Sequence, residues 1–142
     1  MVITTPKSKR DFAQYFHLRW KILRKPWGEP EGSEQDEHEG SSYHVMVKEG
    51  DKVIGVARLQ NIAPAVAQVR YMGIDDNYQG KGIGRLMMQH IEAYARDSNI
   101  DELFLHAREN ALGFYTTLGY KQLEKSYLLF NSIQHYKMNK RI

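Results

Sequence analysis

Three closely spaced glycines lie where a predicted strand gives way to a predicted helix. The apolar run from Val69 to Ile74 predicts the strand, and the spacing of apolar residues from Ile83 to Arg96 predicts an amphipathic helix. A helix N-terminus offers unpaired backbone N–H groups and the positive end of a dipole, and glycine lets a phosphate approach the main chain. The segment therefore predicts a phosphate-binding loop, which consists of Gln79, Gly80, Lys81, Gly82, Ile83, Gly84 and Arg85.

Three sequence patterns for phosphate loops can be compared with this segment. The P-loop pattern needs a Gly-Lys-[Ser/Thr] triplet, and the chain contains none at the required spacing. The dinucleotide pattern G-x-G-x-x-G fails because Arg85 occupies the place of its third glycine. The pattern Q-x-x-G-x-G does fit, from Gln79 through Gly82 to Gly84. The sequence therefore argues against both a P-loop and a dinucleotide site.

The remaining sequence predicts the elements that hold the loop. A first helix begins at Ser8, a cap-like serine with Asp11 three residues later, and ends at Pro26 and Gly28. The later elements are strands 43–48, 52–60 and 66–74, helix 83–96, strand 103–107, a short helix capped by Asn110, and strands 120–130 and 133–139. This order predicts an α/β fold with a mixed sheet and helices on both faces, in which strand 103–107 runs parallel to strand 66–74.

A second motif follows the loop. Residues 110–120 read Asn-Ala-Leu-Gly-Phe-Tyr-Thr-Thr-Leu-Gly-Tyr, which fits the pattern N-x-x-x-F-Y-x-x-x-G-[FY]. Together with Q-x-x-G-x-G and the order of elements, this motif makes the chain resemble the GNAT superfamily of acetyl-coenzyme A dependent N-acetyltransferases, from Tyr43 to Met138. The resemblance implies one GNAT domain over residues 1–142, whose mostly antiparallel mixed sheet contains a central, splayed parallel strand pair.

The resemblance also implies where acetyl-CoA, the expected cosubstrate, binds. In the family the pyrophosphate rests on the backbone N–H groups of the loop, here residues 79–85. The pantetheine arm pairs with the strand backbone as an added strand would, and to make room the parallel strands splay, here between residues 71–73 and 106–108. No metal is expected. The further cofactor-binding residues that the resemblance implies are Met72, Gly73, Ile74, Asn110 and Phe114.

The resemblance assigns catalytic roles and leaves one of them open. The backbone N–H of Met72 or Gly73 would meet the developing oxyanion, and Tyr115 would give a proton to the leaving thiolate. Some family members place a glutamate early in the strand before the loop as general base, and this chain has Gln68 there. His106 is the first choice to replace that glutamate. The alternatives are His135, His44 and a carboxylate of the acidic segment 29–39 acting through water.

The absence of cysteine excludes disulfides, thiolate metal sites and an acyl-cysteine intermediate. Direct attack of the acceptor in a ternary complex is therefore the expected route. The acceptor is expected to be a primary amine, on either a small polyamine-like molecule or a protein. Segment 29–39 carries six carboxylates and no apolar residue, so it is either a solvated connection or an acidic lid that attracts a cationic acceptor.

Composition and charge bear on the remaining classes of function. A module that binds acetyl-CoA without turnover is the alternative that Gln68 keeps open. The pI of 9.0 and net charge of +3 suit an acidic partner, but the basic residues are scattered, so no nucleic acid is expected. No apolar run is long enough for a membrane span and the N-terminus lacks a signal-peptide core, so we expect a cytoplasmic protein with no membrane partner. The last hairpin, 120–139, could pair across a homodimer.

Overall fold

The computed structural model describes the whole chain, Met1–Ile142, as a mixed sheet with three α-helices. In chain order the elements are β1 (Val2–Thr4), α1 (Lys9–Leu23), β2 (Tyr43–Glu49), β3 (Lys52–Ala63), β4 (Val66–Ile74), α2 (Ile83–Asp97), β5 (Glu102–Arg108), α3 (Leu112–Thr117), β6 (Lys121–Leu129) and β7 (Ile133–Arg141). Short 3-10 helices lie at Lys25–Trp27, Glu39–Ser41, Asp76–Tyr78 and Glu109–Ala111. None of the helices offers the long apolar stretch that a membrane crossing requires.

The sheet contains seven strands in the order β1-β2-β3-β4-β5-β7-β6. Strands β4 and β5 pair in parallel, whereas β1 with β2, β2 with β3, β5 with β7 and β6 with β7 are antiparallel. The parallel register joins residues 66–69 to residues 102–105, and β4 continues beyond the last of these pairs to Ile74. The prediction of a mostly antiparallel mixed sheet with one parallel pair is therefore confirmed.

Helix α1 shows how the local sequence sets the limits of an element. The Ser8 hydroxyl accepts a hydrogen bond from the Asp11 N–H at 3.0 Å, and the Asp11 carboxylate accepts one in return from the Ser8 N–H at 3.3 Å. This capping box satisfies N–H groups that a helix start leaves unpaired. At the other end Pro26 lies in a 3-10 turn and Gly28 has a left-handed φ of 73°. The predicted start of this helix is confirmed, whereas the α-helix ends at Leu23, before the predicted stop at Pro26.

The chain divides into two compact units, each with its own buried core. The first unit comprises residues 1–60 and 71–91, and the second comprises residues 61–70 and 92–142. The core cluster of the first unit contains Tyr15, Leu18, Met46, Val53 and Val56, with Phe12, Phe16 and Ile22 packed against it. Buried apolar residues of the second unit include Leu103, Leu105, Ala107, Tyr115, Tyr120 and Met138. Burial of each Leu, Val or Met favours folding by about 1.5–3 kcal/mol.

Two details of the predicted elements are wrong. Strand β1 is missing from the predicted order, because three residues carry too little alternation to indicate a strand. Asn110 does not cap α3, since the 3-10 turn Glu109–Ala111 precedes that helix and Ala111 takes the N-cap position without a side-chain hydrogen bond. Gly119 has a φ of 93°, which suits the glycine that commonly follows the C-terminal end of a helix.

The helical spacing of α2 predicts a buried stripe that includes Leu86 and Tyr94 and a solvated face that includes Glu92. Leu86 and Tyr94 are exposed instead. Glu92 is 6% exposed. Its carboxylate is buried because it accepts hydrogen bonds from the Lys140 Nζ at 2.8 Å and from the Tyr120 hydroxyl at 3.1 Å. A charged residue moves to the buried side of a helix when distant partners compensate its charge.

Candidate active site

The predicted phosphate loop has a backbone that requires glycine at two positions. Gly80 has a φ of 75° and Gly82 a φ of 79°, both in the left-handed region that other residues rarely adopt. A Cβ added at either glycine would meet no atom within 4 Å, so packing does not impose them. That side of the loop is therefore open to a ligand. Gly84 has no positive φ and lies in the first turn of α2.

Helix α2 presents its N-terminal N–H groups beside this loop. The Leu86 N–H donates to the Gly82 carbonyl at 3.2 Å and begins the ladder of helical hydrogen bonds. The N–H groups of Ile83, Gly84 and Arg85 precede that bond and point out of the helix end, as the first N–H groups of a helix do. They lie at the positive end of the helix dipole, which favours a bound anion.

Two lysines flank the loop and share one aromatic ring. The Lys81 Nζ and the Lys52 Nζ each lie 5.3 Å from the centre of the Tyr78 ring. Lys81 is one of the predicted binding residues, whereas Lys52 lies on β3, where no motif marks it. The Lys52 Nζ also lies 3.7 Å from an oxygen of Asp75, and the Lys52 side chain is 54% exposed.

Asp75 fixes the entry to the loop. Its N–H donates to the Ile54 carbonyl at 2.8 Å, which ties the end of β4 to β3. Its carboxylate accepts from the Asn77 N–H at 2.9 Å and caps the short turn that leads to the glycines. The Gln79 side chain donates from Nε2 to the Ile74 carbonyl at 3.2 Å. The structure thus brings two predicted binding residues, Ile74 and Gln79, into direct contact.

The end of β4 has an irregular backbone just before the residues expected to pair with a pantetheine arm. Tyr71 has a φ of 54°, and such a conformation costs on the order of 1–3 kcal/mol for a residue with a side chain. Met72, Gly73 and Ile74 follow it directly. A Cβ added at Gly73 would lie 3.2 Å from the Ile22 side chain of α1. Packing against α1 therefore explains glycine at position 73, in addition to the predicted approach of a thioester.

Two buried arginines contact the ring of Tyr71. The guanidinium carbon of Arg19 lies 4.5 Å and that of Arg58 lies 4.8 Å from the ring centre, and both arginines are 0% exposed. Desolvated cation–π contacts of this kind contribute about 2 kcal/mol each. The Tyr71 hydroxyl donates to Asp36 Oδ2 at 3.2 Å. These contacts together hold the strained residue that precedes the expected cofactor strand.

The same arginines form an ion-pair cluster, which consists of Arg19, Arg58, Asp36 and Glu39. Glu39 Oε2 accepts from Arg19 at 2.8 Å and from Arg58 at 2.9 Å. The two oxygens of Asp36 accept from Arg58 at 2.6 Å and 3.0 Å. Hydrogen bonds from Arg58 hold the pKa of Asp36 well below its usual range. Two cations face two carboxylates, so the cluster is balanced in charge.

The prediction that the acidic segment 29–39 is solvated is therefore wrong for half of its carboxylates. Asp36 and Glu39 belong to the ion-pair cluster, and Glu34 is 3% exposed and accepts a hydrogen bond from the Gly32 N–H at 2.7 Å. The physical reason is that arginines on α1 and β3 supply partners that the local pattern cannot reveal. Glu31 and Glu37 do remain exposed.

His44, one of the alternative general bases, lies in this buried region. Its Nδ1 is 2.9 Å from the Tyr15 hydroxyl, and its Nε2 is 2.7 Å from the Glu39 carbonyl oxygen. Burial lowers the pKa of His44. Because both ring nitrogens are engaged, neither is available to take a proton from a substrate.

His106, the first-choice general base, lies on β5 in the second unit. Its ring centre is 6.0 Å from that of Phe104 and 5.4 Å from that of Tyr127. Its Nδ1 is buried and has no hydrogen-bond partner. A buried polar atom without a partner is uncommon in folded proteins and requires a reason. In contrast to the two ring nitrogens of His44, Nδ1 of His106 is not engaged by another protein group.

The neighbouring charges that shift the pKa of His106 are positive. Burial lowers the pKa of His106, and the positive charges of Lys137, His135 and Arg70 lower it further. Since the usual pKa of histidine is about 6.5, the imidazole is mainly neutral at pH 7. A neutral imidazole can accept a proton, as a general base must.

His135, another alternative base, is buried in the second unit. Its Nδ1 lies 3.0 Å from the Ile133 carbonyl oxygen, so that nitrogen carries the hydrogen and donates it. Its ring stacks on Tyr127, with centres 4.3 Å apart and planes at 15°. Because Tyr127 also contacts His106, His135 helps to fix the aromatic surroundings of the first-choice base.

Tyr115 is buried on α3 in the second unit. Its ring lies 4.9 Å from that of Phe114 and 5.8 Å from that of Tyr120. Burial raises the pKa of Tyr115 to about 12, so the phenol keeps its proton. Phe114 is 37% exposed and Asn110 is exposed. The aromatic packing of Tyr115 is thus observed, while its predicted role as proton donor stays a prediction.

The predicted site residues fall into two groups. The loop 79–85 and the strand end 72–74 belong to the first unit, whereas His106, Asn110, Phe114 and Tyr115 belong to the second. No group of three or more His, Asp or Glu side chains is arranged to hold a metal ion. Sequence reasoning missed Tyr71, the ion-pair cluster that holds it, and Lys137.

Both the sequence and the fold of this chain are similar to those of known proteins. The model of the Acetyltransferase (GNAT) family matches residues 12–120. The chain belongs to the GNAT family of acetyltransferases. A relative of this GNAT protein is the uncharacterized N-acetyltransferase YjcF of Bacillus subtilis (strain 168), which is 26% identical over 134 residues. The match covers 94% of this chain and 95% of YjcF.

Two solved structures share the fold. A Lactobacillus plantarum protein, named as a candidate N-acetyltransferase, has a TM-score of 0.87 at 21% identity, and the match covers 99% of this chain and 97% of that one. An aminoglycoside 6'-N-acetyltransferase complexed with coenzyme A has a TM-score of 0.84 at 14% identity, with the same coverage. The predicted fold class and family are therefore confirmed, and the GNAT protein is an acyltransferase that transfers acetyl groups.

Proposed function

We propose that this GNAT protein uses acetyl-CoA to acetylate a primary amine, by direct attack of the amine in a ternary complex. Residues 1–142 act as one N-acetyltransferase domain. The observation that supports acetyl-CoA as the cosubstrate is the glycine loop, which combines two left-handed glycines with an open helix N-terminus and two lysines. The aminoglycoside acetyltransferase of the same fold is complexed with coenzyme A, which adds support.

The loop binds the pyrophosphate through backbone N–H groups and adjacent cations. The N–H groups of Ile83, Gly84 and Arg85 point out of α2, and Lys81 and Lys52 supply positive charge. Gln79, Gly80 and Gly82 shape the rest of this cradle. Asn110 and Phe114 complete the cofactor-binding set on the basis of the family motif.

The end of β4 binds the pantetheine arm and the reacting carbonyl. Met72, Gly73 and Ile74 offer backbone groups in an extended strand, to which an arm with amide groups can add as a further strand. The N–H of Met72 or Gly73 is held in place before reaction, so it stabilises a developing oxyanion with little reorganisation. Tyr71 and the ion-pair cluster hold the backbone of this segment.

Acetyl-CoA supplies the acetyl group as an activated thioester. The acceptor nitrogen forms a bond to the acetyl carbon, and the bond from that carbon to sulfur breaks. His106 takes the proton that the acceptor nitrogen loses, as a neutral imidazole on β5. Tyr115 gives a proton to the leaving thiolate, since burial keeps its phenol protonated. Water returns each residue to its starting state.

The test is the release of free thiol from acetyl-CoA by the purified protein in the presence of a panel of primary amines. We expect amine-dependent release that falls strongly in Tyr115→Phe, while acetyl-CoA binding measured by calorimetry is unchanged. Thr117→Ser, a conservative change at an exposed position of the same helix, is the control.

Two outcomes would contradict parts of this proposal. If acetyl-CoA binds and no amine promotes thiol release, the protein is a binding module, as the glutamine at position 68 allows. If release is amine-dependent but Tyr115→Phe keeps the full rate, another group protonates the thiolate.

A further inference from the structure

The strand pair β5 and β7 places a lysine directly beside His106. His106 and Lys137 are cross-strand partners, and Arg108 and His135 are the next pair on the same face. Side chains of directly opposed residues on neighbouring strands point to one face and lie about 5 Å apart at Cβ. The primary ammonium group of Lys137 therefore belongs to the cross-strand neighbour of His106 on the same face of the sheet.

The ammonium group of Lys137 has no carboxylate partner. Its Nζ lies 4.9 Å from the centre of the Phe104 ring, and no Asp or Glu oxygen lies within ion-pair distance of it. Glu124, its cross-strand partner on β6, is exposed and forms no ion pair with it. The positive charge of Lys137 is thus available to a ligand, beside an aromatic wall.

Basic side chains of two other strands also act on His106. Arg70 of β4 and His135 of β7 join Lys137 in acting on the imidazole, and Tyr127 of β6 covers it with an aromatic ring. Arg108 lies two residues further along β5. An ammonium group that approached His106 would meet like charges, whereas a carboxylate or phosphate would be attracted.

The acidic segment does not supply the opposite preference. Asp36 and Glu39 are neutralised by buried arginines, and Glu34 is buried against the backbone of its own segment. Carboxylates engaged in this way cannot draw a polycation to the protein. The expectation of a cationic acceptor rested on the six carboxylates of this segment. Three of them are engaged within the protein.

We propose that the acceptor of this acetyltransferase is an amine that also carries an anionic group, a carboxylate or a phosphate, and that Lys137 binds that group beside His106. The inference rests on the proposed function, because it names the acceptor of the same reaction. Phe104 and Tyr127 provide apolar contact for the carbon chain between the amine and the anion. Selectivity comes from repulsion of a second ammonium as much as from attraction of the anion.

The test compares kcat/KM for thiol release with amines of similar length and different tails. The probes are γ-aminobutyrate, phosphoethanolamine, butylamine and putrescine. We expect the better of the two anionic amines to exceed putrescine by about tenfold or more, a ratio that corresponds to about 1.4 kcal/mol, with butylamine in between. A preference for γ-aminobutyrate or for phosphoethanolamine distinguishes a carboxylate from a phosphate.

Variants sharpen this comparison. Lys137→Met should bring the ratio between the anionic amine and putrescine close to one, and Lys137→Glu should reverse it. Lys125→Met, on the exposed strand β6, is the matched control and should keep the wild-type ratio. The ratio measured for the wild-type protein alone shows which amine is preferred, so the test does not depend on how well the variants fold.

The outcomes separate this inference from the proposed function. If putrescine is acetylated as well as or better than both anionic amines, the inference is overturned and the proposed function stands. If no amine promotes thiol release, the proposed function is overturned and the inference falls with it.

Discussion

The ion-pair cluster in the first unit and the surroundings of His106 in the second unit bury charge in opposite ways. In the first, Arg19 and Arg58 face Asp36 and Glu39, and hydrogen bonds of 2.6 to 3.0 Å join the opposite charges, while Arg19 Nε, Arg58 Nε and Glu39 Oε1 have no partner. In the second, an imidazole with an unpartnered nitrogen lies among cations. In the first, balanced cluster opposite charges attract one another, whereas in the second, unbalanced cluster burial and like charges disfavour the charged form of His106.

This difference indicates where function lies. Groups whose pKa is perturbed by burial and by like charges are concentrated at functional sites, although structural ion pairs perturb pKa values as well. The balanced cluster holds Tyr71 and a loop in place, so its removal should change stability first. The unbalanced cluster leaves a base and a lysine ready for a ligand, so its removal should change the rate first.

The largest expected effect is a loss of rate at the unbalanced cluster. His106→Gln should lower kcat by about 10²–10⁴-fold, since it removes the proposed general base. The urea-unfolding free energy should change by less than about 1 kcal/mol, because the lost nitrogen has no partner in the protein. His17→Gln, at an exposed histidine of α1, is the control. An unchanged kcat together with a large loss of unfolding free energy would show that His106 is a structural residue.

The balanced cluster should respond in the reverse manner. Arg58→Met removes a fully buried arginine that binds Asp36 and Glu39, whose side chains are 17% and 14% exposed, and this should cost about 3–5 kcal/mol of unfolding free energy. Urea unfolding at pH 7 measures this loss, with the exposed Arg10→Met as the control. An unfolding free energy within about 0.5 kcal/mol of the wild type would show that the cluster does not stabilise the fold.

A smaller, pH-dependent effect is expected for Asp36→Asn. The pKa of Asp36 is lowered in the folded protein by hydrogen bonds from Arg58, so its contribution to stability is present above the usual carboxyl pKa of about 4. We expect a loss of about 1.5–3 kcal/mol at pH 7. The difference from the wild type should shrink as the pH falls below about 4. A difference that is constant with pH would mean that the charge of Asp36 is not what matters.

The smallest effect is expected for Tyr71→Phe. This change removes the hydrogen bond to Asp36 and keeps the ring beside the two guanidinium groups, so it should cost about 0.5–1.5 kcal/mol of unfolding free energy. KM for acetyl-CoA should rise only slightly if the ring alone holds the backbone of β4. A loss of stability as large as that of Arg58→Met would assign the restraint to the hydroxyl instead.

Much of the fold follows from local patterns. The Ser8 and Asp11 capping box, the alternation in β4 and the glycine spacing each act within a few residues, so the sequence predicts α1, β4 and the loop with nearly correct limits. Strand β1 is too short to carry such a pattern. Element type is therefore predictable where the deciding interactions are close in the chain.

The balanced cluster could not be predicted in this way. Arg19 is visible in the sequence as the one charge on the apolar face of α1, but its partners lie in a separate acidic segment and on β3. Only the folded structure brings them together. The proposed role of Lys137 could not be predicted either, because it depends on the cross-strand pairing with His106, which local sequence does not indicate. The family motif does mark Tyr115.

The most direct test is the pH dependence of kcat/KM for thiol release, with KM expressed as the concentration of the neutral form of the acceptor amine. Because a general base must be neutral, the rate should fall as the pH drops through the pKa of His106, which burial and the neighbouring cations place below the usual 6.5. Lys137→Met removes one of those cations, so the midpoint should move to higher pH, whereas Lys125→Met should leave it in place. A midpoint that does not move in Lys137→Met, or that lies above 6.5 in the wild type, would contradict the claim that neighbouring cations tune the proposed catalytic base.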